Sequence, residues 1–350
     1  VSETSELLLK DYRPHSKLEV QVTRIDKPRF PVVDAHNHLG ETFGGGMAKR
    51  PVEELLDVLD EAGVKFLVDL DGGWGEDILN RHLDYYKSFA PHRFVHFGGV
   101  DWSKWPEQGD GFGEWAARKF RAQVERGAEG LKIWKAFGLN VRDHRDRLVL
   151  VDDERLTPLW DTAAELKVPV MIHVADPVAF FDPLDSNNER WEELQAHPDW
   201  HFPSPPYPAF MAVMHHLADL VKRQADTTFI GAHVGCYSEN LVWVSDLLDQ
   251  TENFYVDISA RISELGRQAY SARKFFIRYA DRILFGTDLP PDAEVYRLYY
   301  RFLETSDEYF DYSLEEIPPQ GRWNIYGVFL PEEVLEKIYR SNAKKIFTKG

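Results

Sequence analysis

Two histidines, His36 and His38, stand two residues apart at the end of a short apolar run, Pro31-Val-Val-Asp-Ala35, and Gly40 follows closely. Val32 and Val33 are β-branched and mark the run as a strand. Side chains at i and i+2 leave a strand on the same face, so both imidazoles are aimed at one point at its C-terminal end. A divalent metal accepts such a pair. The pair alone also fits two polar residues at a loop entrance, so the rest of the chain has to decide. Lys132 and Lys135 lie in and just beyond the run Gly130-Leu-Lys-Ile-Trp134, and His173, His233 and Asp288 each end a later apolar run. Singly each has an ordinary explanation: His173 as a hydrogen-bonded core histidine, Asp288 as a helix cap.

These runs belong to a regular alternation. Strand-like segments are expected at 31–35, 64–70, 93–100, 130–134, 168–173, 227–233, 254–259 and 282–288. Helical patterns follow them, from the one that opens at Pro51 and stops at Gly63 to the one at 293–303. Eight strand-then-helix units argue an α/β fold with a parallel sheet covered by helices, and eight is the count of a closed (β/α)8 TIM barrel. An open doubly wound sheet is the alternative, but no G-x-G-x-x-G turn follows an early strand. Barrel active sites sit at the C-terminal ends of strands. Four histidines and an aspartate at equivalent strand ends then converge on one axis, and neutral imidazoles with a carboxylate suit zinc or manganese. Which histidine would stay off the metal is open from spacing alone.

Residues 1–29 read as an N-terminal arm and 30–350 as one barrel domain. Two segments exceed what a barrel needs: a long loop after strand 5, from Ala175 to Pro206, with the character of a lid, and a C-terminal extension from Glu304 with a helix at 331–343. The 350 residues are 43% hydrophobic, ample for a large core, and carry a net charge of -17. That balance argues against a general nucleic-acid or anionic-membrane binder and leaves a small-molecule substrate. The single cysteine, Cys236, permits no disulfide within the chain. No apolar run has membrane-spanning length. Cytoplasm is the default location, although an export signal removed upstream of Val1 would leave the same sequence. The arm and tail could support a homo-oligomer.

The motifs Asp34-Ala-His-Asn-His38, Gly130-Leu-Lys132, Ile172-His173, Gly231-Ala-His233 and Phe285-Gly-Thr-Asp288 resemble the amidohydrolase superfamily over roughly residues 30–347. The closer likeness is to the amidohydrolase-2 branch that contains aminocarboxymuconate-semialdehyde decarboxylase. The resemblance implies a distorted barrel with one divalent metal, zinc first and manganese as the alternative. By motif, His36, His38, His173 and Asp288 would bind it, and His233 would be the acid/base beside it. Asp288 could also take a proton from the metal's water. A fourth-strand lysine is carboxylated in two-metal members of the superfamily. Lys132 lies in a Gly-Leu-Lys motif that the one-metal branch also shows, so one metal is expected and Lys132 would meet a substrate oxygen or an ion-pair partner. Lys135, Arg190 and Arg261 are further candidates for gripping an anionic or polyhydroxy substrate, with Trp134 and Trp191 as pocket walls and Glu41 near the pocket.

Two chemistries follow from the resemblance. In the first, a hydrolase uses metal-activated water against an ester, lactone or amide carbonyl of a small polar or anionic substrate. In the second, a non-oxidative carboxy-lyase releases carbon dioxide. The polar lid residues Asp185, Asn187, Asn188, Glu189 and Arg190 favour hydrolysis. A catalytically silent metal-binding barrel is the non-enzymatic alternative, and it sits poorly with a complete donor set.

Overall fold

The structure, a computed structural model, describes residues 7–8, 11–12, 14–40, 46–175 and 177–347. Glu41 and most of the glycine run at 44–46 lie outside the described residues. Eight parallel strands appear in the expected order: β1 (Val32–Asn37), β2 (Val64–Asp69), β3 (Phe94–His96), β4 (Leu131–Ile133), β5 (Val170–Ile172), β6 (Phe229–Gly231), β7 (Phe254–Asp257) and β8 (Ile283–Leu284). Most are shorter than their apolar runs, because the last residues of several runs leave the hydrogen-bond ladder to form the rim.

The strands fall into two ladders, β1-β2-β3 and β4-β5-β6-β7-β8. Two seams close them into a barrel. Gly98, past β3, bridges in parallel to Leu131 of β4, and Lys132 N–H donates to Gly98 O at 2.9 Å. Across the other seam, Ala35 N–H donates to Phe285 O and Asp288 N–H to His36 O, each at 2.9 Å. Gly286 lies close to β1 at this second seam: a Cβ there would stand 3.0 Å from the Cβ of His36.

Alternation sorts the strand side chains. Val33, Ala35, Phe66, Val68, Val95, Phe97, Met171, Ile230, Tyr255 and Leu284 form one buried cluster, the barrel's filling, which Ala343 and Phe347 of the last helix (Asn342–Phe347) join. In β4 the register partner of Met171 is Lys132, so a fully buried lysine stands where its neighbour has methionine. A much larger apolar cluster fills the space between strands and surrounding helices. In β1, Asp34 pairs with Leu67 and Asn37 with Asp69, so β1 holds one residue more than β2 over that step. Such a bulge re-aims the side chains at the strand exit, and simple alternation does not describe His36 and His38.

The segment after β5 contains a helix, Trp191–Ala196, and docks on the barrel rather than hanging free. Arg190 is 1% exposed and pairs with Glu264 and, at 2.7 Å, with Glu193. Arg267 grips Glu189 through two bonds of 2.9 and 3.1 Å. Arg322 of the C-terminal extension does the same to Glu192 at 2.8 and 2.7 Å. The arm is tied down at Thr23, whose N–H and hydroxyl both donate to Asp307. No helix among the described residues is long and apolar enough to cross a membrane.

Candidate metal centre

At the C-terminal rim, His36 Nε2 and His38 Nε2 lie 3.7 and 3.3 Å from Oδ1 of Asp288. These three residues hold donor atoms within 4.8 Å of one another. The opposite nitrogen of each ring is fixed. His36 Nδ1 lies 2.9 Å from Asp257 Oδ2, and His38 Nδ1 lies 2.8 Å from Asp71 Oδ1. A carboxylate behind a histidine sets its tautomer, turns Nε2 toward the centre and raises its basicity, which is the arrangement of metal-binding histidines. The donor set therefore fits a divalent ion.

His233 faces the same carboxylate from the other side, with Nε2 3.6 Å from Asp288 Oδ2. Its Nδ1 lies 2.8 Å from the carbonyl oxygen of Ser259, which only a protonated Nδ1 can satisfy. Nδ1 therefore carries a hydrogen, and Nε2 is the ring atom turned toward the carboxylate. Asp257 also accepts the backbone N–H of His233 at 3.0 Å, so one carboxylate positions two of the site's histidines. The ring of His173 packs edge-on against that of His233 at 4.5 Å. His233 and Asp288 both occupy the left-handed backbone region, at φ 55° and 53°, and the β-branched Val234 joins them at φ 60°. Such conformations cost of order 1–3 kcal/mol each and gather at functional sites.

The charges are set by these contacts. For His38, burial works against protonation, but Asp288 and Asp71 outweigh it and push its pKa up to about 9. Burial pushes the carboxyl of Asp288 up, and His36, His38 and His233 more than reverse this, holding it well below the usual range. Asp257 is likewise held down against its burial by His36 and His233. Asp34 differs: burial pushes its carboxyl up although Tyr296, Asn37 and Thr287 donate to it. It ties the exits of β1 and β8 together through Asn37 and Thr287, the latter's hydroxyl donating at 2.9 Å.

The remaining sequence candidates are spread more widely. Trp134 stacks on His38 at 5.2 Å and on Trp74 at 3.7 Å, a three-ring stack running outward from the donors. Gly73 admits it, since a Cβ there would stand 2.7 Å from Trp134 Nε1. Trp74 is half exposed and borders a cavity of about 460 Å3 that Asp71, His82 and Arg81 also line. Lys132 Nζ lies 4.8 Å from the centre of the Trp134 ring. Arg261 is buried beside β7 and donates to the carbonyl of Ala260 at 2.7 Å. Lys135 Nζ sits among the rings of Phe180, Trp200 and Phe202, at 5.2 to 5.6 Å, a cation–π seat under the docked loop. Arg190 is engaged with Glu264 and Glu193, and Trp191 is 45% exposed.

Sequence reasoning missed Asp257, Asp71, Ser259 and, further back, Asp69 with His82 and His96. One signal was present: Asp69-Leu-Asp71 repeats at the end of β2 the two-residue spacing of the histidines on β1, and β1 and β2 are neighbours.

Known proteins share the family and the fold. A model of the amidohydrolase family matches residues 33–349. Among solved structures, a 2,6-dihydroxybenzoate decarboxylase from Rhizobium shares the fold at a TM-score of 0.57 and 16% identity, covering 91% of this chain and 98% of its own. The 5-carboxyvanillate decarboxylase of Novosphingobium aromaticivorans, complexed with manganese, gives a TM-score of 0.54 at 15% identity over 93% of this chain and 99% of that one. A probable 2-pyrone-4,6-dicarboxylic acid hydrolase from Acinetobacter baumannii gives 0.52 at 12%, over 91% and 99%. No curated protein matches the chain.

Proposed function

The chain belongs to the amidohydrolase family, and from that premise we propose that it is a metal-dependent hydrolase of an ester, lactone or amide in a small polar or anionic substrate. His36, His38 and Asp288 would hold one divalent ion, zinc or manganese, with His173 as a further donor. Such an ion polarises a carbonyl oxygen and lowers the pKa of a nearby water. The observation that carries the hydrolytic reading is the division of the two Asp288 oxygens between the paired histidines and His233. Oδ1 faces His36 and His38, and Oδ2 faces His233 Nε2 at 3.6 Å.

Asp288 is ionised and can accept a proton from an attacking water at Oδ2. His233, whose Nε2 faces Asp288 Oδ2, would receive that proton and deliver it to the departing oxygen or nitrogen. Ser259 O holds the ring in the tautomer this transfer needs. Lys132 and Arg261 supply cationic groups near the rim for a substrate carboxylate or hydroxyl, and the Trp134 ring walls the pocket beside His38.

A second reading, decarboxylation of a small carboxylic acid, is favoured by that same wall: the Trp134 ring stacked on His38 offers a flat apolar face, and two of the similar structures bear decarboxylase names. There His233 would protonate carbon. Metal-loaded protein incubated with lactones, esters and amides in one panel and aromatic carboxylic acids in another separates the two. Hydrolysis with incorporation of oxygen from labelled water supports the proposal. Carbon dioxide release with no carbonyl hydrolysis overturns it.

A further inference from the structure

Asp69 is buried at the exit of β2, bonded to Asp71 and to the residue that follows His38. Its Oδ1 accepts the backbone N–H of Leu39, the residue after His38, at 3.3 Å, and the backbone N–H of Asp71 at 3.3 Å. Its Oδ2 lies 2.7 Å from His82 Nδ1 and 2.8 Å from His96 Nδ1. The main chain converges there too: Leu70 N–H donates to Asn37 O at 3.0 Å, and Phe97 N–H to Asp69 O at 2.9 Å. The exits of three adjacent strands are thus joined at one side chain.

Asp69, His82 and His96 hold donor atoms within 4.8 Å of one another and could be taken for a second metal site. The distances point elsewhere. A tetrahedral ion with bonds of about 2.0–2.1 Å spreads its donors to about 3.3 Å. Contacts of 2.7 and 2.8 Å are the lengths of charge-assisted N–H···O bonds. Protonated Nδ1 on both rings also suits His96 Nε2, which is buried and finds no hydrogen-bond partner among the described residues. In that tautomer the atom carries a lone pair rather than a stranded N–H, and an unsatisfied acceptor is the more tolerated case. Burial pushes the Asp69 carboxyl up, and His82 and His96 outweigh it, so Asp69 stays ionised.

We infer that Asp69 is a positioning residue for His38: it fixes the backbone of Leu39 and Asp71 together, and His82 and His96 are its anchors, not ligands of a second ion. The inference rests on the reading of His38 as a metal ligand. Acting from behind the holding carboxylate, Asp69 keeps Asp71 Oδ1 on His38 Nδ1 and so keeps Nε2 turned to the centre.

The test uses the full chain with Asp69→Asn, His96→Leu and His96→Asn, measuring zinc affinity by chelator competition and amide hydrogen exchange of the metal-free protein. Asp69→Asn and His96→Leu are expected to weaken zinc binding about 10–100-fold, the usual effect of losing a group behind a ligand. They should also speed exchange at Leu39 and Asp71. His96→Asn places an amide N–H where the imidazole Nδ1–H lies and should restore both readouts, which a role in packing alone would not give. Should Asp69→Asn fail to fold, the two His96 variants decide. Folded Asp69→Asn protein with wild-type affinity and exchange overturns the inference, as does a second zinc taken up by the wild type and abolished by His96→Leu. Wild-type protein that binds no zinc defeats the reading of His38 instead, and exchange at Leu39 and Asp71 still decides whether Asp69 clamps them.

Discussion

Asp257 holds His36 from behind, its Oδ2 lying 2.9 Å from the ring's Nδ1, with both side chains buried. Through its other oxygen it takes the backbone N–H of His233 at 3.0 Å. A single carboxylate therefore orients a metal-binding candidate and the proposed proton carrier beside it. Asp257→Asn keeps the shape and removes the charge. Metal affinity measured by chelator competition should fall about 10–100-fold, and turnover should fall further because His233 is also displaced.

His36→Ala and His233→Ala should separate two kinds of loss. His36→Ala removes a donor, so metal content by elemental analysis and activity should vanish together. His233→Ala removes the proposed proton carrier, so the protein should keep most of its metal while kcat falls about 10^2–10^4-fold. Equal metal loss in the two variants would make His233 a ligand.

The pKa of His38 gives a pH dependence of definite sign. Its folded value, about 9, lies above the ordinary 6.5. Protonated His38 therefore stabilises the metal-free fold fully below pH 6.5 and loses that contribution as pH rises through about 9. A metal ion must displace this proton. Apparent zinc affinity should rise about tenfold per pH unit up to about pH 9 and then level, and calorimetry in buffers of different ionisation enthalpy should detect proton release. In His38→Ala that dependence should disappear with the site.

Arg190 joins the loop after β5 to Glu264, both side chains buried. Arg190→Ala leaves the Glu264 carboxylate buried and short of its partner, which costs about 3–5 kcal/mol. The melting temperature should drop by several degrees. Proteolysis at the loop should quicken, and an apolar replacement of both Arg190 and Glu264 should recover much of the stability.

The barrel was legible because its strands are apolar runs with chemistry placed at their ends: His36, His38, His173, His233 and Asp288 all mark strand exits. What the linear pattern hid was the support. Asp71, Asp257 and Asp69 lie at strand exits as well, but an aspartate there is indistinguishable in sequence from a cap or a turn residue. Only the closure of β1 against both β2 and β8 shows which of them reach a histidine. The bulge between Asp34 and Asn37 was invisible for the same reason, since it is a property of pairing with β2. Sequence offers Arg190 and Lys135 as cations for a substrate, and their surroundings, Glu264 for one and three aromatic rings for the other, come from segments distant in the chain.

The proposed function requires a cation held between His36, His38 and Asp288. Crystals of the protein grown with zinc or manganese, with diffraction recorded on both sides of the metal's absorption edge, locate the ion directly. One strong anomalous peak is expected within about 2.0–2.3 Å of His36 Nε2, His38 Nε2 and an Asp288 oxygen. A peak confined to Asp69, His82 and His96, or none at any of these residues in crystals containing excess metal, would contradict it.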